Sequence, residues 1–149
     1  MRRFLFVILL AALALAACGA GDTVPGPLDG TRWRLVSFDD PENQQPVPEE
    51  VLISADFDSG RISGTTTCAS YIAEYLTEGS QIEIGEITST SIACPDEASS
   101  IAIQRSYFVV LRSADTFEVV GEELLITYEE GTKLLTYELN AVNPAGVSQ

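Results

Sequence analysis

Over most of its length the chain alternates apolar and polar positions in short runs, the signature of half-buried strands. In the run from Thr31 to Phe38, Trp33 and Leu35 share one face and Arg32 and Arg34 the other. Pro41, Pro46 and Pro48 then predict a loop. Val51, Ile53, Ala55 and Phe57 alternate inward against Ser54 and Asp56 outward. Asp58-Ser59-Gly60 turns the chain into a second strand, Arg61 to Thr66, which predicts a hairpin. Tyr71 to Leu76 continues the series, and Gln81 to Ile87 follows with Ile82 and Ile84 on one face. There the phase slips at Gly85 before Ile87, which predicts a β-bulge. One stretch has helical spacing instead, Asp96 to Arg112. Pro95 can start it, Asp96 and Glu97 suit its positive end, and Arg112 its negative end. Ile101, Phe108 and Leu111 form its apolar stripe, widened by Tyr107 and Val110. Three strands close the series: Thr116 to Val120, Leu124 to Tyr128, and Thr132 to Leu139. About eight short strands with one helix predict an α+β fold that is mainly antiparallel β, a small sheet curled into a barrel so that its edges are managed.

The amino terminus breaks this pattern. Phe4 to Ala17 is fourteen apolar residues preceded by Arg2 and Arg3. That is too short for a membrane span, which takes ~20. The run ends Leu15-Ala16-Ala17-Cys18, which resembles a bacterial lipoprotein signal. The resemblance implies cleavage between Ala17 and Cys18 and acylation of Cys18; an ordinary signal peptide cut after Ala17 is the competing reading. Three acyl chains, at ~0.8 kcal/mol per buried CH₂, would anchor the protein essentially permanently. Gly19 to Pro27 has little to bury and reads as a flexible tether spanning at most ~30 Å. The expected layout is a signal at 1–17, the lipidated cysteine and tether at 18–27, a folded domain at 28–139, and a disordered tail at 140–149. With Gly19 rather than an aspartate after the cysteine, the expected location in a two-membrane cell is the outer membrane facing the periplasm. In a one-membrane cell it is the outer face of the cell membrane.

Without the signal, six basic residues remain against 22 acidic ones, a formal charge of −16. That balance argues against nucleic acid, whose phosphates require Lys and Arg, and against direct docking on anionic headgroups. Setting Cys18 aside leaves Cys68 and Cys94 in an exported, oxidising setting, where an even pair reads as a disulfide. Closing a loop of about 25 residues would contribute roughly 3–4 kcal/mol in the chain-entropy model. A reactive thiol or a metal pair are the alternatives. Zinc usually takes four ligands, and the chain has no histidine.

Several short motifs together resemble the META domain family, that of the heat-shock protein HslJ. They are Gly30-Thr31-Arg32-Trp33-Arg34-Leu35, the hairpin Asp58-Ser59-Gly60-Arg61-Ile62-Ser63-Gly64, Ile84 through Ser89-Thr90 to Ala93-Cys94, and Tyr107, Phe108, Leu111, Phe117, Gly121 and Leu124. The resemblance spans roughly residues 28 to 138. It implies a small barrel-like fold with a packed helix, in proteins often exported or lipid-anchored and linked to envelope stress or antibiotic tolerance. The chain departs from the family pattern at four positions. Thr67 and Ala69 flank Cys68 where the family has Gly-Cys-Asn; Ile92 replaces a methionine, and Ser91 a frequent basic residue.

Candidate chemistry is sparse. Without histidine, every triad built on an imidazole base is excluded. Lys133, the sole lysine, reads as solvated, and the pairs Asp56/Asp58, Glu122/Glu123 and Glu129/Glu130 read as turn charges. Asp56 to Gly60 opens like a calcium loop but lacks its closing glutamate, and Arg61 repels a cation there. Thr65-Thr66-Thr67 and Thr88-Ser89-Thr90-Ser91 flank the two cysteines and can form a hydroxyl-lined rim. No catalytic residue, metal or cofactor is expected. The expected function is a non-enzymatic binding or accessory module of the envelope, held at the membrane through Cys18, with an unidentified envelope protein as a candidate partner. A carrier of small apolar ligands is the main alternative, unless Trp33, Phe57, Phe108 and Phe117 fill the barrel. A protease inhibitor or chaperone-like module is the other, and it predicts an apolar patch or an open strand edge.

Overall fold

The computed structural model describes residues 26–39, 45–93 and 97–140. The signal, Cys18, most of the tether, Cys94 and the tail after Asn140 lie outside the described residues. The strands are β1 (Thr31–Asp39), β2 (Gln45–Pro46), β3 (Ser54–Asp58), β4 (Arg61–Thr65), β5 (Ala69–Glu78), β6 (Gln81–Ile84), β7 (Thr88–Ser91), β8 (Ala114–Val120), β9 (Glu123–Tyr128) and β10 (Lys133–Leu139). Among the described residues the helix is α1 (Glu97–Arg112), which lies between β7 and β8.

Eight of these strands close on themselves. The path runs β1-β3-β4-β5-β6-β8-β9-β10, every pair antiparallel, and β10 returns to β1 with Trp33 opposite Leu139 and Leu35 opposite Tyr137. The expected barrel-like sheet is thus a closed eight-stranded barrel. Alternation drives closure, because each strand has one face that must leave water and a closed sheet gives all of them a common interior. On β5, Ala69, Tyr71, Ala73 and Tyr75 point in while Ser70, Ile72, Glu74 and Leu76 point out. Phe57, Ile62, Leu124, Ile126 and Leu135 complete the lining, each buried. Each large apolar side chain so placed contributes roughly 1.5–3 kcal/mol relative to exposure.

Two strands lie beside the barrel, and neither follows from the alternation. Gln45–Pro46, in the expected loop, pairs with Phe38 and Ser37 as β2. A proline is tolerated there because the strand is at an edge. A bulge in β1 at Val36 frees its carbonyl to accept from the Val47 amide at 2.9 Å. Thr88–Ser91, wholly polar and exposed, is β7 and pairs with the first half of β5. Its partners expose the predicted bulge. Ile84 pairs with Tyr75 and Thr88 with Ile72, so four steps on one strand match three on the other. The extra residue falls within 85–87, beginning at the glycine where the phase slips.

Gly64 is set by close approach. A Cβ there would lie 2.0 Å from the Ser54 carbonyl oxygen and 2.9 Å from the Tyr71 ring. At the expected tether's end, the Gly26 amide donates to the Asp29 carboxylate at 2.7 Å, so this residue is already part of the fold. The Asn140 amide, at the start of the expected tail, donates to the Arg32 carbonyl at 2.8 Å.

Candidate functional site

The barrel interior is filled by side chains. Trp33, Phe57 and Phe117 are buried in it, whereas Phe108 is only half-buried. Helix α1 turns Ser100, Tyr107 and Leu111 inward, with Gln104 on the same line, so its buried face is centred on Tyr107 rather than on Ile101 and Phe108. The reason is that this end of the barrel offers hydroxyls as well as apolar surface. Phe108 packs from the side on Tyr71, ring centroids 5.3 Å apart.

The hydroxyls of Tyr71, Tyr107 and Tyr137 form a chain. Tyr71 donates to the Ser54 carbonyl at 2.8 Å, which can only accept. Its single proton being committed, Tyr107 must donate across the 2.7 Å contact to Tyr71, and Tyr137 donates to Tyr107 at 3.2 Å. The order of protons is therefore fixed along the whole chain. Burial is the main cause pushing all three phenols well above their ordinary range, with mutual repulsion between the would-be phenolates adding to it. Such groups are poor acids or bases at neutral pH; the arrangement locks the helix to the barrel.

Beside this lock lies the predicted hydroxyl rim. Thr66 accepts from the amide of Ala69 at 3.0 Å and donates to Gln104 on α1 at 2.7 Å. Thr67 Oγ1 is buried without a partner. β7 sits against Ala69 and Ser70, and the Ile92 amide donates to the Cys68 carbonyl at 2.9 Å. Cys68 is buried and bonded. Cys94, the partner expected for it, lies outside the described residues. Thr67, Ala69, Ser91 and Ile92, the four departures from the family pattern, thus gather around one cysteine.

The remaining candidates are scattered. Asp56 lies 3.9 Å from Arg32, and Asp58 accepts from the Ser59 hydroxyl at 3.0 Å. Lys133 is not merely solvated: it stands 3.4 Å from Glu129 and 3.9 Å from Asp39. Glu122 lies in the β8–β9 turn with Glu123 just after it, and Glu129 and Glu130 lie in the β9–β10 turn. Among the described residues no cluster of His, Cys, Asp or Glu is arranged to hold a metal.

One carboxylate with a built environment was not singled out by the sequence. Asp29 accepts from the Tyr75 hydroxyl at 2.6 Å and from the Gly26 amide at 2.7 Å, and these bonds hold it below the usual carboxylate range. Burial, with the hydrogen bond to Asp29, pushes the Tyr75 phenol up in turn. With Leu28 fully buried beneath it, this turn closes the barrel end opposite the helix. Only the proximity of β5 makes Asp29 special, and no local pattern signals it.

Solved structures share this architecture. A protein from Burkholderia xenovorans, solved by NMR, is 19% identical, with a TM-score of 0.64, over 83% of this chain and 97% of that one. A DUF4847 family protein from Bacteroides vulgatus ATCC 8482 is 13% identical, with a TM-score of 0.59, over 75% and 94%. At these identities the likeness concerns the fold alone. Comparison with curated proteins gives no match. The META domain family model matches residues 26–141, from the Asp29 turn through the last strand of the barrel. The chain therefore belongs to the META domain family.

Proposed function

We propose that this protein is a lipid-anchored, non-enzymatic binding module of the cell envelope. The observation that carries this reading is the filled and doubly closed barrel. Trp33, Phe57, Tyr107, Phe117 and Tyr137 are buried in the interior that an apolar cargo would have to enter, which supports recognition at the outer surface. The lack of any histidine, and the dispersal of the carboxylates among turns and ion pairs, support a non-catalytic role. Anchoring rests on Leu15-Ala16-Ala17-Cys18 and on the folded turn at Gly26, which leaves a leash of at most ~30 Å between Cys18 and the barrel. A part in envelope stress or antibiotic tolerance belongs to the same reading. So does a Cys68–Cys94 disulfide, which the burial of Cys68 and the oxidising location support.

Metabolic labelling with a palmitate analogue tests the anchor. The wild type is expected to take up label and Cys18→Ser to lose it; equal labelling of the two overturns the reading. For the disulfide, thiol titration of the unfolded, unreduced mature protein is expected to find neither Cys68 nor Cys94.

A further inference from the structure

The outer face of β5 and β6 carries a groove. Glu74, Leu76 and Glu78 point outward from β5, and Gln81 and Glu83 from β6. Register sets Leu76 opposite Glu83 and Glu78 opposite Gln81. Two features open the surface here. The amide of Gly85 bonds the Glu74 carbonyl at 2.9 Å, and this residue brings no side chain to the strip beside Glu74. On the other side, β6 and β8 share a single register pair, Gln81 with Thr116, so Ala114 and Asp115 form a separate lip. The open groove between the lips has a volume of about 600 Å³, and it shares Leu76 and Glu83 with a hollow of about 340 Å³ beside Gly60 and Gly85.

Leu76, in the middle of this groove, is 71% exposed, more than any other large hydrophobic residue among those described. Around it stand Glu74, Glu78, Glu83 and Asp115, and no lining residue is basic. The ion pairs of the described residues lie elsewhere, at Arg32, Arg34 and Lys133. Arg61 faces Glu74 across the β4–β5 register, and among the described residues Glu78, Glu83 and Asp115 form no ion pair.

From this charge and shape we infer that the groove binds an extended polypeptide segment in which Lys or Arg alternates with apolar side chains. This rests on the reading of the protein as a binding module and names the class of partner. An extended chain presents one face every second residue, ~6.6 Å apart. A cation, an apolar side chain and a second cation on that face match Glu74, Leu76 and Glu78 in order. The apolar group covers Leu76; one cation meets Glu78, which forms no ion pair among the described residues, and the other meets Glu74, which it shares with Arg61.

The test uses the full-length chain in non-ionic detergent and a fluorescent peptide repeating lysine, threonine, leucine, threonine. Anisotropy is expected to report saturable binding that weakens with salt. Replacing the peptide's lysines by glutamates should abolish it, and replacing its leucines by threonines should weaken it about tenfold. In the protein, Leu76→Ser and the triple change Glu78→Gln, Glu83→Gln, Asp115→Asn should each weaken binding about tenfold, with unchanged circular dichroism. The remote triple change Glu118→Gln, Glu122→Gln, Glu123→Gln should leave it within about twofold. Failure of the lysine–leucine peptide to bind, indifference to Leu76→Ser, or equal loss from both triple variants overturns the groove assignment. Failure of palmitate labelling overturns the anchor and leaves this binding result standing, so the two outcomes separate.

Discussion

At one end of the barrel the closing contacts run between neutral hydroxyls; at the other a carboxylate makes them. Tyr71 and Tyr75 sit on the same inward face of β5, four residues and ~13 Å apart, and each belongs to one of these closures. At the helix end, Tyr137, Tyr107 and Tyr71 pass their protons in one direction to a backbone carbonyl. Nothing there carries charge at neutral pH, so complete burial is tolerated. At the turn end, Asp29 remains ionised because it is solvent-accessible and receives several hydrogen bonds. A neutral network can hold an element deep in a core; a charged one works where water still reaches it. The two closures should therefore fail at opposite ends of the pH scale.

The largest effect is expected at the helix end, from Gly64→Ala. Its Cβ would collide with the Ser54 carbonyl that terminates the hydroxyl chain and with the Tyr71 ring, neither of which can swing away. A loss of about 3 kcal/mol or more is expected by denaturant titration; a loss under about 1 kcal/mol would mean that β3 and β4 separate freely. Next comes Tyr107→Phe, which takes the acceptor from Tyr137 and the donor from Tyr71 while preserving shape. About 1–3 kcal/mol should be lost, more than for Tyr137→Phe, which sits at the start of the chain.

Alkaline titration probes the same end. All five tyrosines have phenols raised above the ordinary value of 10, Tyr128 to about 12 chiefly through burial. The folded state resists ionisation that the unfolded chain accepts, so stability is complete below pH 10 and lost as pH rises through the folded values. Phenolate absorbance should therefore appear together with loss of circular dichroism. Phenolate formed near pH 10 in a protein still folded would contradict the buried chain.

The acid side belongs to Asp29. Its folded value is depressed, chiefly by the Tyr75 hydroxyl, so its contribution is present above the unfolded value of 3.8 and lost as pH falls through the folded one. Asp29→Asn should lower the melting temperature at pH 7, and the gap to wild type should close in strong acid. A pH-independent gap would assign the effect to shape. The smallest change concerns neither end's hydrogen bonds. Glu130 holds φ near 57° in the β9–β10 turn, a left-handed conformation that a side chain disfavours. Glu130→Gly should be neutral or stabilising by about 0.5 kcal/mol by denaturant titration, and a clear loss would show that the turn does not strain this residue.

Legibility followed the range of the interaction. The inward faces of β1, β3 and β6 could be read from alternation, and the slip at Gly85 from phase alone, because both are properties of neighbouring residues. β7 could not be read: four exposed hydroxyl residues become a strand only because the first half of β5 lies beside them. The face of α1 was read one position off, since spacing weighs Phe108 above Tyr107. Only the hydroxyls of Tyr71 and Tyr137 reverse that order. The outer groove was equally hidden, because Leu76, Glu83 and Asp115 come together only across strand pairs.

By itself, the sequence determined the mainly β class, the strands of the barrel wall, the turn positions and the motifs by which the family was recognised. These are local, and period-two burial is written residue by residue. The tertiary structure alone decided that β10 closes on β1, that Tyr107 rather than Phe108 enters the barrel, that Asp29 meets Tyr75, and that Leu76 stays exposed among carboxylates. Each of these joins residues far apart in the chain, where the partner's position, and not the residue's own character, sets the energy.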